Sequence, residues 1–122
     1  MDKLQADESW IDDVVVLKLA GLIDSGTSQL LEDRFESLVS KGNVKIVVDL
    51  SDVDYISSAG WGIFVGEIKG VRKNSGDIKL AGMRPDVREV FDLLEFNALL
   101  KPYESREEAL SSFNVQENRE LT

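Results

Sequence analysis

The chain has 122 residues, a formal net charge of −9, 43% hydrophobic and 30% charged residues, and neither cysteine nor histidine. One domain of this size can bury a core without disulfides or a metal, and its acidity argues against a nucleic-acid groove or an anionic lipid surface, both of which call for clustered Lys and Arg. The absence of Cys and His removes thiol chemistry, most structural zinc sites, the commonest general base and the usual hydrolytic triads, so an enzyme here would have to use carboxylates, Lys or Tyr.

The first ten residues, "MDKLQADESW", contain no apolar segment of signal-peptide type, and no apolar run approaches the length of a membrane span. The expected address is therefore cytoplasmic. "DESWIDDVVVLKLAG" predicts a strand, a turn at Asp12-Asp13 and a second strand ending at Gly21, with Val15, Leu17 and Leu19 on one face. "SGTSQLLEDRFESLVSKG" predicts a helix with Leu31, Phe35 and Leu38 at helical spacing, Ser25, Thr27 or Ser28 at its start and Gly42 just past its end. "NVKIVVDL" is a nearly continuous apolar run, as in a strand buried on both faces. Residues 58–73 read as a second helix and "DIKLAG" as a further strand. Pro85 suits the first turn of a third helix with a stripe of Val87, Val90, Phe91 and Leu94. "ALLKPY" reads as a short last strand, and Ser105 with Glu108 forms a capping box for a final helix. The expected core covers about residues 4–113, and the polar tail 114–122 is expected to fray. Strands alternating with helices imply a parallel or mixed sheet, whose sites gather at the carboxyl ends of its strands.

One such end carries "VVDLSDVDYISSAGWGIF", residues 47–64. Either Ser57 or Ser58 suffices as a helix cap, which leaves the other over, beside Gly60 at a helix N-terminus. The stretch lacks the order of a phosphate-binding loop and of a nucleophile elbow. A phosphoryl group on either serine would add about −1.5 to −2 of charge near Asp24, Asp52 and Asp54 and act as a local switch. Along the helix, Trp61, Phe64, Val65, Ile68 and Val71 share one face. Gly62, Gly66 and Gly70 share the other, beside Ile63. A glycine stripe costs helix stability, so it serves either close packing or a smooth docking face for a partner. Trp61 suits the core or, alternatively, an interface anchor.

These residues resemble the STAS domains of bacterial anti-sigma factor antagonists. The family pattern is an apolar strand, Asp-Leu-Ser, a few residues, then Asp-Ser-Ser/Thr-Gly-Leu-Gly. Upstream, "GLIDSGTSQLLEDRF" resembles a second family stretch through Gly21, Asp24 and Thr27. The resemblance covers about residues 4–113. It implies a small α/β domain with a mixed, mostly parallel sheet of about five strands and about four helices wound as a βα superhelix. It further implies a non-enzymatic phosphoprotein in a partner-switching pathway that regulates transcription. In its unphosphorylated form, such a protein binds a serine-kinase anti-sigma factor. Phosphorylation releases that kinase, and a metal-dependent serine phosphatase restores the free serine. By position the acceptor is Ser58, with Ser57 as the alternative. The implied partner surface comprises Asp24, Thr27, Ser57, Ser58, Gly60, Trp61, Gly62, Ile63 and Gly66. Cofactor, metal, nucleic acid and membrane are not expected, while a weak homodimer stays open. The sequence departs from the pattern at Ser57 in place of Asp, Ala59 in place of Ser or Thr, and Trp61 in place of Leu. Two other readings compete: a STAS scaffold that is never phosphorylated, and a nucleotide-binding module or small hydrolase using Asp24, Asp52 and Asp54 with a metal.

Overall fold

A computed structural model describes residues 3–115. Two strands, β1 (Leu4–Ile11) and β2 (Val14–Ile23), form an antiparallel hairpin around Asp12-Asp13. Helix α1 (Ser28–Ser40), strand β3 (Lys45–Ile56), helix α2 (Ser58–Lys73) and strand β4 (Asp77–Ala81) follow. Helix α3 (Pro85–Leu93), strand β5 (Lys101–Tyr103) and helix α4 (Arg106–Ser111) complete the described chain. The sheet order is β1-β2-β3-β4-β5, and every pair beyond the hairpin is parallel. This is the mixed, mostly parallel five-stranded α/β sheet with four helices that the sequence implies.

Alternation along the strands divides the core between the two faces. Val15, Leu17, Leu19, Ile46, Val48 and Leu50 pack against Leu31 and Phe35 of α1, Phe64 and Ile68 of α2, and Phe91 of α3. Val14, Val16, Val47 and Ala81 face the other way and are covered by Ala109 and Leu110 of α4. The second cluster continues to Val115, which is buried and donates its N–H to Leu110 O. This packing reaches two residues past 113. Residues 116–122 of the tail lie outside the described residues.

Three strand ends differ from expectation. Strand β2 continues through Gly21 to Ile23; Gly21 takes φ +113, and a Cβ there would sit 2.0 Å from Lys3 O. Glycine lets the hairpin close at this point without ending the strand. Strand β3 continues six residues past Leu50 because it bulges twice against β2, between the Lys18 and Ala20 pairs and between the Gly21 and Leu22 pairs. Bulges break the two-residue alternation and turn the acids at 52 and 54 outward, so the run reads as loop in the sequence. Strand β5 begins only at Lys101, since Phe96–Ala98 forms a single 3-10 turn. In α3, Val87 and Phe91 are buried as expected, whereas Val90 and Leu94 are exposed.

Candidate functional site

The bulged end of β3 delivers the two serines directly to α2. Ser57 is the N-cap: its backbone is extended, and its Oγ accepts from Gly60 N–H at 3.3 Å. Its own N–H donates to Ile23 O at 2.8 Å, which ties the start of α2 to the end of β2. Ser58 is the first helical residue, is exposed, and makes no side-chain hydrogen bond among the described residues. The two hydroxyls therefore differ: one is committed to the helix end, and the other faces solvent.

The tie to Ile23 brings the Asp24 loop beside the serines. Asp24 Oδ1 accepts from Gly26 N–H at 2.9 Å and Thr27 N–H at 3.1 Å, an Asx turn that starts α1. Thr27 is only 8% exposed. Its hydroxyl donates to Leu22 O at 2.9 Å and accepts from Asp24 N–H at 2.9 Å. Thr27 thus locks the loop from behind and is withdrawn from direct partner contact.

Gly60 and Trp61 are likewise buried, which corrects their placement on the partner surface. A Cβ on Gly60 would lie 2.6 Å from Ile23 Cγ2 and 3.1 Å from Ile23 O, so only glycine lets α2 approach β2 this closely. Trp61 is 1% exposed and packs with Phe64, Phe91 and Phe96 at ring distances of 5.2–5.8 Å. It is a core residue, and that burial disposes of the interface-anchor reading. The other glycines behave differently. Nothing lies within 4 Å of a Cβ built on Gly62, Gly66 or Gly70, so internal packing gives no reason for them. Ile63 is half-buried against the core, between this open stripe and the packed face.

Asp52 and Asp54 are surface acids with cation partners: Lys18 lies 3.0 Å from Asp52, and Arg84 lies 2.6 Å from Asp54. Among the described residues, the three acids that bring carboxylate oxygens within 4.8 Å of one another are Glu32, Glu36 and Glu67. The geometry accordingly gives no support to a metal held by Asp24, Asp52 and Asp54. Burial pushes the Glu67 carboxyl above its ordinary value, and the neighbouring charges of Glu36 and Glu32 push it further. The i, i+4 spacing of Glu32 and Glu36 is readable in the sequence, but the approach of Glu67 requires knowing how α1 packs on α2.

Sequence reasoning also missed Asp49. It is 6% exposed and lies on the sheet face that α4 covers. Its carboxylate accepts from Ser51 N–H at 3.0 Å, Ser51 Oγ at 2.7 Å, and Arg106 Nη2 and Nε at 2.8 and 3.1 Å. Burial raises its pKa, but the Ser51 bonds, Arg106 and Lys18 together outweigh burial and hold it below the ordinary carboxylate range. An aspartate at the end of an apolar strand was the available signal; its guanidinium partner 57 residues away was not. All its strong sites are occupied internally, so it is a structural charge.

Among the described residues, no helix is long and apolar enough to cross a membrane. The STAS domain family matches residues 7–109. BtrV of Bordetella bronchiseptica, named for anti-sigma factor antagonism, is 35% identical over 113 residues, covering 93% of this chain and 96% of that protein. The anti-sigma-B factor antagonist of Bacillus subtilis is 29% identical over 90 residues, covering 74% of this chain and 82% of that protein. A crystal structure from Thermotoga maritima, described as an anti-sigma factor antagonist, superposes with a TM-score of 0.82 at 26% identity and covers 89% of this chain and 94% of that one. The serine turn, the sheet order and these likenesses agree, and the chain belongs to the STAS domain family.

Proposed function

We propose that this protein is an anti-sigma factor antagonist of the partner-switching kind, with Ser58 as its phosphorylation site. The observation that carries the reading is the division of labour between the serines. Ser57 Oγ is engaged at the helix end, whereas Ser58 Oγ is exposed and without a partner among the described residues. In the proposed cycle a serine-kinase anti-sigma factor binds the unmodified surface formed by Asp24, Ser57, Ser58, Gly62, Ile63 and Gly66. The kinase holds ATP and transfers its γ-phosphoryl group to Ser58 Oγ. The hydroxyl proton passes to a base on the kinase, and ADP leaves. This chain is a substrate in that step and supplies no catalyst or cofactor. A metal-dependent serine phosphatase returns the free hydroxyl. The proposed setting is the cytoplasm.

The physical switch is local charge. A phosphate of about −1.5 to −2 at the first residue of α2 is favoured by the helix N-terminus and opposed by Asp24 nearby. It also replaces a small neutral hydroxyl at the N-terminal end of the open glycine stripe. The acids Glu32, Glu36 and Glu67 extend from that face toward α1, so a basic partner surface is complementary to the unmodified form.

Binding tests this reading. The kinase is first captured on Ser58→Ala, identified, and then titrated by calorimetry against wild type, Ser58→Ala and Ser58→Asp. Ser58→Ala should bind like wild type, and Ser58→Asp should lose about a hundredfold or more, as like-charge and misfit penalties of several kcal/mol imply. Equal affinity of the two variants contradicts the switch.

A further inference from the structure

Helix α3 carries more apolar surface than the core uses. Val87 and Phe91 are buried, whereas Val90, Leu93 and Leu94 are exposed, Leu93 to 78%. Spacings of three and four residues make these three side chains neighbours on one helical face. Tyr55, also exposed, borders the same crevice between β3 and α3 as Val90. Single exposed apolar residues are ordinary, but a contiguous group of this kind marks an interaction surface. Val90 and Leu94 belong to the stripe that the sequence shows in α3, whose period alone does not separate a core face from a docking face.

Two observations define what covers this face. The first is charge. Asp86 and Glu89 are exposed and stand one turn before Val90 and Leu93. The nearby cations Arg84 and Arg88 are paired with Asp54 and Asp92, so Asp86 and Glu89 flank the apolar face with negative charge. A second copy of a chain of net charge −9 would bring the same acids to the contact, whereas a partner with basic flanks complements them. The second is position. Tyr55 comes three residues before Ser58 and Trp61 three residues after it, and both border the crevice that Val90 borders. The apolar face is therefore contiguous with the serine turn. A standard interface takes about 800 Å² from each partner, a disc of roughly 16 Å radius, so a kinase seated on Ser58 also covers the ground around it.

We propose that Val90, Leu93, Leu94 and Tyr55 form a second arm of the docking surface, which receives an apolar segment with basic flanks on the anti-sigma kinase. This rests on the reading of Ser58 as a kinase substrate and adds to it a place and a chemistry of contact. The two arms divide the work. Ser58 and Asp24 carry the charge switch, while α3 contributes apolar burial and a charge-matched rim.

The test is calorimetric titration of the purified kinase, identified on Ser58→Ala, against that variant and its Leu93→Ser and Glu89→Lys derivatives. Leu93→Ser should lose about tenfold or more in affinity, with its thermal midpoint unchanged because the side chain is exposed. Glu89→Lys should weaken binding at low salt and much less at high salt. An unchanged affinity for Leu93→Ser overturns the proposal, as does tighter binding by Glu89→Lys. If Ser58→Asp still fails to bind in that case, the phosphorylation switch stands and only the α3 arm falls. If Leu93→Ser loses affinity while Ser58→Ala and Ser58→Asp bind alike, the arm stands and the switch falls. Hydroxyl-radical footprinting of the wild-type complex gives a second readout that needs no variant. Tyr55, Leu93 and Leu94 should be protected by the kinase, and unchanged reactivity at all of them overturns the proposal.

Discussion

Replacing Gly62, Gly66 and Gly70 with alanine, singly and together, should stabilise the protein, whereas Gly60→Ala should destabilise it. All four glycines lie on α2, but their surroundings differ. A Cβ at each of the first three meets nothing within 4 Å, so the intrinsic preference of a helix for Ala over Gly, about 1 kcal/mol per site, should be realised with little opposing cost. The triple variant should gain roughly 2–3 kcal/mol. At Gly60 the new methyl group would press on Ile23 Cγ2 at 2.6 Å and on the backbone oxygen of Ile23 at 3.1 Å. The β2 backbone cannot yield as a side chain can, so overpacking there should cost about 1–3 kcal/mol. Urea denaturation followed by circular dichroism measures these changes, with a constant slope confirming that the denatured state is unaffected. Destabilisation by alanine at 62, 66 or 70 would refute the claim that this face is open, and stabilisation by Gly60→Ala would refute the packing argument at the serine turn. The same stripe ties stability to recognition. Gly66→Leu should hold or raise the thermal midpoint yet weaken binding of the proposed kinase partner, because a bulky side chain then stands on the proposed docking face.

Two charge predictions follow from the buried Asp49 and the half-buried Glu67. Arg106→Ala strips Asp49 of its guanidinium and should destabilise the fold by about 1–3 kcal/mol at neutral pH, below the full cost of breaking a buried pair because Ser51 and Lys18 remain. The folded pKa of Asp49 lies below the ordinary 3.8, so its stabilising contribution is present above 3.8 and is lost as pH falls through the folded value. Acid titration of wild type and Arg106→Ala should therefore place the variant's unfolding midpoint at higher pH. Glu67 has the opposite sign. Its folded pKa is raised above 4.5, so the folded protein binds the proton more tightly and stability falls as pH rises from 4.5 through the folded value. Glu67→Gln should raise the thermal midpoint at neutral pH, and the gain should vanish below about pH 4.5, the ordinary value.

Elements with a strong period were readable in the sequence. The hairpin shows itself through Val15, Leu17 and Leu19 and the Asp12-Asp13 turn, and β3 through the unbroken apolar run from Ile46 to Val48. The 3.6-residue spacing of Leu31, Phe35 and Leu38 and of Trp61, Phe64 and Ile68 placed α1 and α2 against the core, as observed. The misses lie where one local rule overrides another. Gly21 normally ends a strand, but here it sits inside one because Lys3 O approaches too closely for any side chain. Asp52 and Asp54 look like loop residues because bulges, invisible without the partner strand, turn them outward. That extension decides the serines, since only a strand reaching Ile56 makes Ser57 the cap and leaves Ser58 exposed. At the site, Asp24 forms the Asx turn that starts α1, and Gly62, Gly66 and Gly70 leave open space beside α2. Thr27, Gly60 and Trp61 carry the motif's spacing for structural reasons, and their burial comes from contacts with Leu22, Ile23 and the aromatic cluster of α3.

Ser58 is proposed as a reversible phosphate acceptor. The most direct measurement is phosphopeptide mapping by mass spectrometry on the protein isolated from its own cells under several growth conditions. A phosphate on Ser58 whose occupancy changes with condition is the predicted result. Protein unmodified in every condition, or phosphate confined to Ser57 or another residue, contradicts it.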